Sequence, residues 1–310
     1  MTALAAVAVH LPPSSVPVEQ LGERLGLTKR QTTLLRRFHG LDRVRLDPEG
    51  DLETLLGHAV EALTELRGRE HLVRYVLYAR SMPVGVPYPL NPLPGLLDRF
   101  GLHRARAFTV THHACAASLL AVDLAGRLLA AEGDRQALTL VLAGEKTFTR
   151  DAQLVPETAV FGEGAAACLV GAEGDRDRVL SYASRQLGEF DGRLADDPEL
   201  LARYQRAYPE AMAEAMTAAL DRAGTSWERL ALVLPHNVNR VSWHRLCRLV
   251  GFPPERVVLD NVPEVGHSFA ADAFINHRTA TARGLLRSGD RYLIAAAGLG
   301  ATFSAMVLEH

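Results

Sequence analysis

The stretch Thr109-Val110-Thr111-His112-His113-Ala114-Cys115-Ala116-Ala117-Ser118-Leu119-Leu120 decides how this chain folds. Phe108–Thr111 is typical of a short buried strand, and apolar residues recur at helical spacing from Ala116 onward. Cys115 is therefore predicted at a strand-to-helix junction. Free backbone N–H groups and the positive end of the helix dipole favour an anion there, which predicts a reactive thiolate. A small buried cysteine that merely begins a helix is the alternative.

The composition is that of an ordinary globular protein of 310 residues, with 48% hydrophobic and 23% charged residues. A chain of this length can bury a large core. The formal charge is −2, so neither nucleic acid nor an anionic membrane is an expected partner. Three cysteines without paired spacing predict neither a disulfide framework nor a zinc site.

The N-terminus is apolar but lacks a basic region before it, and Pro12-Pro13 follows early. This pattern predicts a first buried strand rather than a signal peptide. Because no stretch approaches the length of a membrane span, the predicted location is the cytoplasm.

The chain divides into two blocks in which strands alternate with helices, residues 1–175 and 176–310. Such alternation predicts an α/β protein with parallel-sheet character. Between two predicted elements, Met82–Leu97 carries five prolines and is expected to form an irregular loop.

In open α/β sheets, ligands bind at the carboxyl ends of the strands. Four features fall at such ends: Cys115, His236 with Asn239, His267, and the turn Gly298-Leu299-Gly300. Together they supply a nucleophile, two imidazoles and a backbone turn that can offer N–H groups. Covalent acyl transfer requires these groups.

The order of these motifs resembles the thiolase-fold condensing enzymes, most closely ketoacyl-acyl-carrier-protein synthase III. The motifs that carry the resemblance are, in chain order, Ala114-Cys115-Ala116, Gly162-Glu163-Gly164-Ala165, His236-Asn237-Val238-Asn239, Gly266-His267-Ser268-Phe269-Ala270 and Gly298-Leu299-Gly300. The resemblance covers nearly the whole chain.

The resemblance implies a five-layer α-β-α-β-α fold built from two duplicated halves, and a homodimer. It implies that Cys115 forms an acyl-enzyme with an acyl thioester. The backbone N–H groups of Cys115 and of the Gly298–Gly300 turn, that of Leu299 in particular, would bind the oxyanion. His236 and His267 would act on the second substrate.

The expected substrate is an acyl-phosphopantetheine thioester, on acyl carrier protein or on coenzyme A, with no bound cofactor and no metal. Asn239, Phe161, Tyr88 and His113 are candidates to line the substrate pocket. The predicted reaction is decarboxylative condensation with a malonyl-type thioester, in fatty-acid or specialised-metabolite biosynthesis.

Two departures from the family leave alternatives open. His267 stands where the family has Asn, and an imidazole can serve as a general base, which an amide cannot. An O- or N-acyltransferase that uses the same acyl-Cys115 is therefore the second prediction. The segment Arg37-Phe38-His39-Gly40 and Val241 do not match the coenzyme A contacts of the family, which favours a carrier-protein donor. A non-catalytic partner subunit and a thioester hydrolase are the remaining alternatives.

Overall fold

A computed structural model of the chain describes residues 1–82, 91–155, 157–190 and 197–310. The strands are β1 Ala3–His10, β2 Ser15–Pro17, β3 Arg43–Arg45, β4 Val73–Ala79, β5 Arg106–Val110, β6 Leu138–Glu145, β7 Leu154–Val155, β8 Ala159–Val160, β9 Gly164–Gly171, β10 Arg178–Gln186, β11 Leu230–Pro235, β12 Arg291–Gly298 and β13 Thr302–Glu309. The α-helices are α1 Val18–Arg24, α2 Lys29–Thr33, α3 Leu52–Glu61, α4 Leu93–Arg99, α5 Ala117–Glu132, α6 Arg150–Gln153, α7 Pro198–Arg222, α8 Arg240–Val250, α9 Val262–Val265 and α10 Asp272–Ala282.

The main sheet repeats one strand order in the two halves of the chain. The first half runs β5-β4-β6-β9-β1, and the second runs β11-β12-β13-β10. Val257 extends the second half by a parallel bridge to Val233 in β11. We number the strands of each half in chain order and take the Val257 bridge as the third strand of the second half. Both halves then have the same spatial order, which is third, second, fourth, fifth and first. Ala3 of β1 pairs with Arg178 of β10, which joins the two half-sheets.

Five layers follow from which helix covers which face. Helices α3 and α4 pack on the outer face of the first half-sheet, and α7 and α8 on that of the second. Helices α5 and α10 lie between the two half-sheets. The period of two in strands explains this placement, because Leu140 and Leu142 of β6 face α3 while Val141 and Ala143 face the central helices. The predicted five-layer α-β-α-β-α fold is confirmed.

Helix α5 is apolar along much of its length, as expected for a helix that is covered on both sides. Ala114–Glu132 is the segment of the described residues that is long and apolar enough to cross a membrane, by length and composition. Its Leu119, Val122 and Leu129 are buried among residues of both half-sheets. A fully buried leucine contributes about 1.5–3 kcal/mol, so this helix contributes strongly to the contact between the halves.

Three sequence expectations need correction. Strand β5 is an edge strand and is mostly exposed rather than buried. Val257–Leu259 forms the single bridge described above instead of a strand. Part of the segment Met82–Leu97, predicted to be irregular, is helical, because Pro92 and Pro94 stand at the start of α4, where a missing N–H breaks no helical bond. The division of the chain at residue 175 stays a prediction.

Candidate active site

The two halves bring Cys115, His236 and His267 to the wall of one cavity of about 280 Å³. All three residues are buried. The cavity opens to solvent between residues that line it and are themselves exposed: Phe38, Glu157, Gln205, Arg245 and Leu299. The thiol and the imidazoles therefore stand away from solvent and within reach of a substrate that enters from this side.

Cys115 lies in a 3₁₀ turn, Ala114–Ala116, that leads directly into α5. The backbone before it is strained, because His112 has φ 69° and Ala114 has φ 44° although neither is glycine. Left-handed conformations of such residues cost about 1–3 kcal/mol each and persist where the surrounding structure imposes them. The fold thus holds the thiol at the N-terminal end of the central helix, as the sequence predicts.

The turn Gly298-Leu299-Gly300 packs against the backbone that carries Cys115. A Cβ atom on Gly298 would lie 2.1 Å from the carbonyl oxygen of His113, so this position requires glycine. Leu299 and Cys115 both line the cavity. That the N–H groups of this turn and of Cys115 bind an oxyanion stays a prediction.

His236 follows β11 and is fixed through its backbone. Its N–H donates to the Ala295 carbonyl at 3.0 Å, and its carbonyl accepts from Trp243 Nε1 at 2.9 Å. Its Nε2 lies 3.1 Å from the hydroxyl of Tyr208, a residue of α7. Burial and the nearby His267 lower the pKa of His236 well below its ordinary value, so this imidazole is neutral.

His267 is positioned by the turn that begins at Phe161. The N–H of Gly162 donates to the His267 carbonyl at 3.0 Å, and a Cβ atom on Gly162 would lie 2.4 Å from the Val265 carbonyl oxygen. The ring of Phe161 packs on the imidazole with centroids 4.5 Å apart. Phe161 lines the cavity, and its contact with substrate stays a prediction.

The side chain of His267 is hydrogen-bonded through Nδ1 to the buried carboxylate of Asp272, at the start of α10. Burial alone would lower the pKa of His267, but the Asp272 carboxylate and the Cys115 sulfur outweigh it and raise that pKa above its ordinary value. The imidazole is therefore cationic beside the thiol, and a cation there stabilises the thiolate.

Asp272 also ties the two imidazole segments together. Its oxygens accept from the Ser268 N–H at 2.7 Å and from the side-chain amide of Asn237 at 3.2 Å. Asn237 follows His236 in the chain, and its own oxygen accepts from Asn276 Nδ2 at 2.8 Å. One buried carboxylate thus sets the positions of both histidines.

Glu163 of the Gly-Glu-Gly motif has a structural role. Its carboxylate lies 2.6 Å from Lys146 Nζ, and it accepts from the backbone N–H groups of Asp47 at 2.9 Å and Thr147 at 3.0 Å. All of these groups are buried or half-buried. Glu163 therefore anchors the turn that positions His267.

Two of the predicted pocket residues have other hydrogen-bond partners or lie outside the cavity. Asn239 lines the cavity, but its amide caps α8 at the Ser242 N–H, at 2.8 Å, and donates to the Thr158 carbonyl at 3.1 Å. His113 is placed outside the cavity, where its ring nitrogens lie 3.5 Å from the Tyr182 hydroxyl and 3.4 Å from Gln186 Nε2. The turn into α5 directs this ring toward β10, to which Tyr182 and Gln186 belong.

Tyr88, the fourth predicted pocket residue, lies outside the described residues. Among the residues that the structure does describe, no three His, Cys, Asp or Glu side chains are grouped to hold a metal ion.

Asp272 and Tyr208 are the site residues that sequence reasoning missed. Asp272 had a signal, since it is a single carboxylate in the apolar run Ala270–Ile275, where an unpaired charge would be costly. Tyr208 had none, because α7 is polar along much of its length and gives no indication of which residue reaches the cavity.

Comparison with known proteins gives consistent matches. Residues 220–310 match the family model described as 3-oxoacyl-[acyl-carrier-protein (ACP)] synthase III C terminal. β-Ketoacyl-[acyl-carrier-protein] synthase III 3 of Streptomyces coelicolor is 28% identical over 302 residues, with 88% of each chain covered.

The fold matches solved structures along its whole length. The structure of 3-oxoacyl-[acyl-carrier-protein] synthase III from Aquifex aeolicus superposes with a TM-score of 0.85 at 22% identity and covers 100% of both chains. The acyltransferase ChlB3 superposes with a TM-score of 0.86 at 21% identity, covering 99% of this chain and 97% of its own. The resemblance to ketoacyl-acyl-carrier-protein synthase III and the thiolase-like fold are thereby confirmed.

Proposed function

We propose that this chain, which is similar in sequence and fold to ketoacyl-acyl-carrier-protein synthase III, transfers an acyl group from a phosphopantetheine thioester through Cys115. The observation that carries the proposal is the shared cavity, in which a thiol at the start of a helix meets two imidazoles. These groups supply the nucleophile and the hydrogen-bond donors that acyl transfer between thioesters requires.

In the first half-reaction the Cys115 thiolate attacks the thioester carbonyl of the donor. The C–S bond to the phosphopantetheine breaks, and its thiolate leaves and takes up a proton. Backbone N–H groups of Cys115 and Leu299 hold the oxyanion of the tetrahedral intermediate, a contribution of about 3 kcal/mol for each donor in comparable sites.

In the second half-reaction a malonyl-type thioester binds beside the acyl-Cys115. Its carboxylate leaves as carbon dioxide, and the resulting enolate forms a C–C bond to the acyl carbon. The bond from that carbon to Cys115 breaks, and the thiolate takes up one proton. Neutral His236 donates to the thioester carbonyl oxygen on which the enolate charge develops.

The donor thioester is proposed to arrive on an acyl carrier protein. The exposed Phe38 and Arg245 stand at the opening of the cavity, where a phosphopantetheine arm would enter. An arginine there can bind the phosphate of the arm. Acyl-coenzyme A carries the same arm, so both donors belong in the test.

The His267–Asp272 pair favours a second candidate function. A buried carboxylate that holds an imidazole next to a nucleophile is the arrangement in which histidine works as a general base. In this candidate the cationic His267 first gives a proton to the departing phosphopantetheine thiolate. The neutral imidazole then takes the proton of a hydroxyl or amine, whose oxygen or nitrogen attacks the acyl-Cys115 carbonyl. The bond from that carbon to Cys115 breaks, and the Cys115 thiolate leaves beside the imidazolium.

One experiment separates these functions. The protein is incubated with acyl-carrier protein or acyl-coenzyme A, and intact mass reveals an adduct that Cys115→Ala must lose. Malonyl-carrier protein is then added, and carbon dioxide release supports condensation. An adduct without release, which transfers to an added alcohol or amine, supports the second candidate. An adduct that is lost to water alone indicates a hydrolase, and no adduct with any donor indicates a non-catalytic subunit.

His267→Asn sharpens the choice between condensation and acyl transfer. An amide can replace an imidazole as a hydrogen-bond donor, so condensation would survive this change. An amide cannot act as a general base, so transfer to a hydroxyl or amine would fall to background. His236 is unchanged in this variant and can still donate. A loss of carbon dioxide release would therefore show that an amide cannot replace the imidazole, and it would argue against a role of His267 as a hydrogen-bond donor in condensation.

We infer that the working form is a homodimer in the cytoplasm. Strand β5 forms an edge of the main sheet, and Phe108 on it is 38% exposed. An unpaired edge strand favours pairing with a second chain unless it is protected. Light scattering after gel filtration tests the dimer, and Phe108→Lys is expected to shift it toward the monomer.

A further inference from the structure

Tyr208 is the one hydroxyl that reaches a catalytic imidazole in the described part of the cavity. It belongs to α7, and its hydroxyl oxygen lies 3.1 Å from His236 Nε2. Both residues line the cavity together with Cys115 and His267. The half-reactions derived above use no group of α7.

The ring of Tyr208 is held in place by other aromatic rings. Phe303 of β13 meets it edge-on, with centroids 5.4 Å apart, and Tyr204, one turn earlier in α7, does so at 5.9 Å. Such pairs favour a fixed orientation beyond the burial of their area. The hydroxyl is therefore preorganised, which is what makes a donor effective in a transition state.

Tyr208 stays protonated in this environment. Burial, Tyr204 and Cys115 raise the pKa of Tyr208 well above its ordinary value. The neighbouring His236 is neutral, so neither group carries a charge at the point of contact. A neutral imidazole that donates from Nε2 uses the phenol oxygen as its acceptor, and the phenol O–H remains available to another acceptor.

We propose that Tyr208 is a further catalytic residue, whose hydroxyl donates together with His236 Nε2 to the thioester carbonyl oxygen of the acceptor. The carbonyl oxygen takes the place that the phenol oxygen holds at Nε2, and it then accepts from both groups. This inference rests on the proposed condensation, since the enolate that forms on loss of carbon dioxide places negative charge on that oxygen.

The proposal makes Tyr208 specific to the second half-reaction. The donor thioester is attacked at Cys115, where backbone N–H groups hold the oxyanion, so the first half-reaction does not need the phenol. Removal of one oxyanion donor from an enzyme lowers the rate about 10²–10³-fold. Because His236 remains as the second donor, we expect a smaller loss here.

The test compares Tyr208→Phe with wild type and with Tyr78→Phe. Tyr78 is buried and its hydroxyl donates to the Gly144 carbonyl at 2.7 Å, outside the cavity, so its variant loses a buried phenol bond without touching the site. The rate of acyl-Cys115 formation is measured by intact mass after mixing with acyl-carrier protein. Carbon dioxide release is measured from pre-acylated enzyme with malonyl-carrier protein.

Tyr208→Phe is expected to lower carbon dioxide release about 10- to 100-fold while acyl-Cys115 formation stays within about twofold. Tyr78→Phe is expected to change neither rate. Equal loss in both half-reactions, or no loss in the second, overturns the proposal. Wild type that forms acyl-Cys115 but releases no carbon dioxide overturns the condensation itself, and with it the carbonyl that Tyr208 would bind.

A double-mutant cycle separates donation by Tyr208 from a role in orienting His236. If Tyr208 and His236 donate to one oxygen, Tyr208→Phe in the background of His236→Ala should cost less than it does in wild type but still lower carbon dioxide release. A phenol that only orients His236 would cost nothing in that background, which would also overturn the proposal. Independent, multiplicative effects of the two substitutions would show that Tyr208 acts elsewhere and would overturn the proposal.

Discussion

The two imidazoles of the cavity are the same side chain in two different electrostatic settings. Their ring centroids lie 5.6 Å apart. His267 is hydrogen-bonded through Nδ1 to the Asp272 carboxylate, whereas His236 contacts the Tyr208 hydroxyl through Nε2. The carboxylate makes the first imidazole a cation, and burial together with that cation keeps the second neutral. The residue type therefore does not set the chemistry of either position; burial and the neighbouring charges do.

This difference divides the work between the half-reactions. The cation next to Cys115 favours the thiolate and serves the first half-reaction, whereas a neutral N–H donor suits an enolate that forms in the second. Two cations in this cavity would repel each other, and two neutral rings would leave the thiolate without a partner. The predictions below break or sharpen this contrast.

Asp272→Asn is expected to have the largest effect, because every group that faces the carboxylate is a donor. The amide nitrogen of the variant would meet the Ser268 N–H, the Asn237 side chain or His267. Both histidine segments would shift, and we expect turnover per folded molecule to fall about 10³-fold. Steady-state assays measure the turnover, and circular dichroism measures the fraction of folded protein by which it is divided.

Asp177→Asn is the matched control for that variant. Asp177 is also a buried carboxylate among donors, accepting from Tyr292 Oη at 2.8 Å and His310 Nδ1 at 2.7 Å, but it lies outside the cavity. The Asp177→Asn variant should lose about 1–3 kcal/mol in the free energy of unfolding and keep the turnover of the wild type. Equal losses of turnover in both variants would mean that Asp272 acts through stability alone.

His236→Ala is expected to have the second largest effect, and to separate the half-reactions. Removal of a neutral donor to the enolate oxygen should lower carbon dioxide release about 10²-fold while acyl-Cys115 still forms. Rapid-quench mass measurement of the adduct and release of labelled carbon dioxide follow the two steps. The exposed His103, replaced by Ala, provides the control, and a parallel loss in both steps would contradict the division of work.

Asn237→Ala should weaken the link between the two sites by a smaller amount. Its side chain donates to Asp272 and accepts from Asn276, so both imidazoles lose a support while their main partners remain. We expect about a tenfold loss shared by both half-reactions. Asn261→Ala is the control, because Asn261 donates to Asn276 at 2.6 Å from outside the cavity and should leave both rates unchanged.

The sequence predicts the parts of this site that depend on spacing. Cys115, His236 and the Gly298–Gly300 turn follow the strands β5, β11 and β12, and strands of one sheet end at the same edge, so their convergence follows from the alternating pattern. His267 follows the short helix α9 instead and reaches the cavity beside Phe161, with which it forms a bridge. The apolar runs of β6 and β9 likewise predict strands covered on both faces. Local pattern was sufficient for these features.

Features that depend on tertiary neighbours could not be predicted in the same way. Phe108 in β5 is as apolar as a core residue, and its exposure depends on the strand being at the edge of the sheet. The partner of each imidazole comes from elsewhere in the fold: Tyr208 from an outer helix, and Asp272 from the turn into α10. Charge states, and hence roles, are set by burial and by charged neighbours such as Asp272.

The smallest expected effect is a pair of opposite pH dependences in the free energy of unfolding. The pKa of His267 is raised above its ordinary value of 6.5, so its stabilisation is complete below pH 6.5 and is lost as the pH rises through the folded-state pKa. The pKa of His236 is lowered below 6.5, so the unfolded chain takes up the proton first and stability falls as the pH drops below that value.

Urea unfolding from pH 5 to pH 9 measures both dependences as differences between wild type and a variant. The difference from His267→Asn should decline above pH 6.5, with a limiting slope of about 1.4 kcal/mol per pH unit, and the difference from His236→Ala should decline below it. Taking differences cancels the titrating groups of the chain that do not interact with the replaced ring. Slopes of the same sign would show that the two rings share one charge state, and the contrast between them would fail, because a single environment would then govern both.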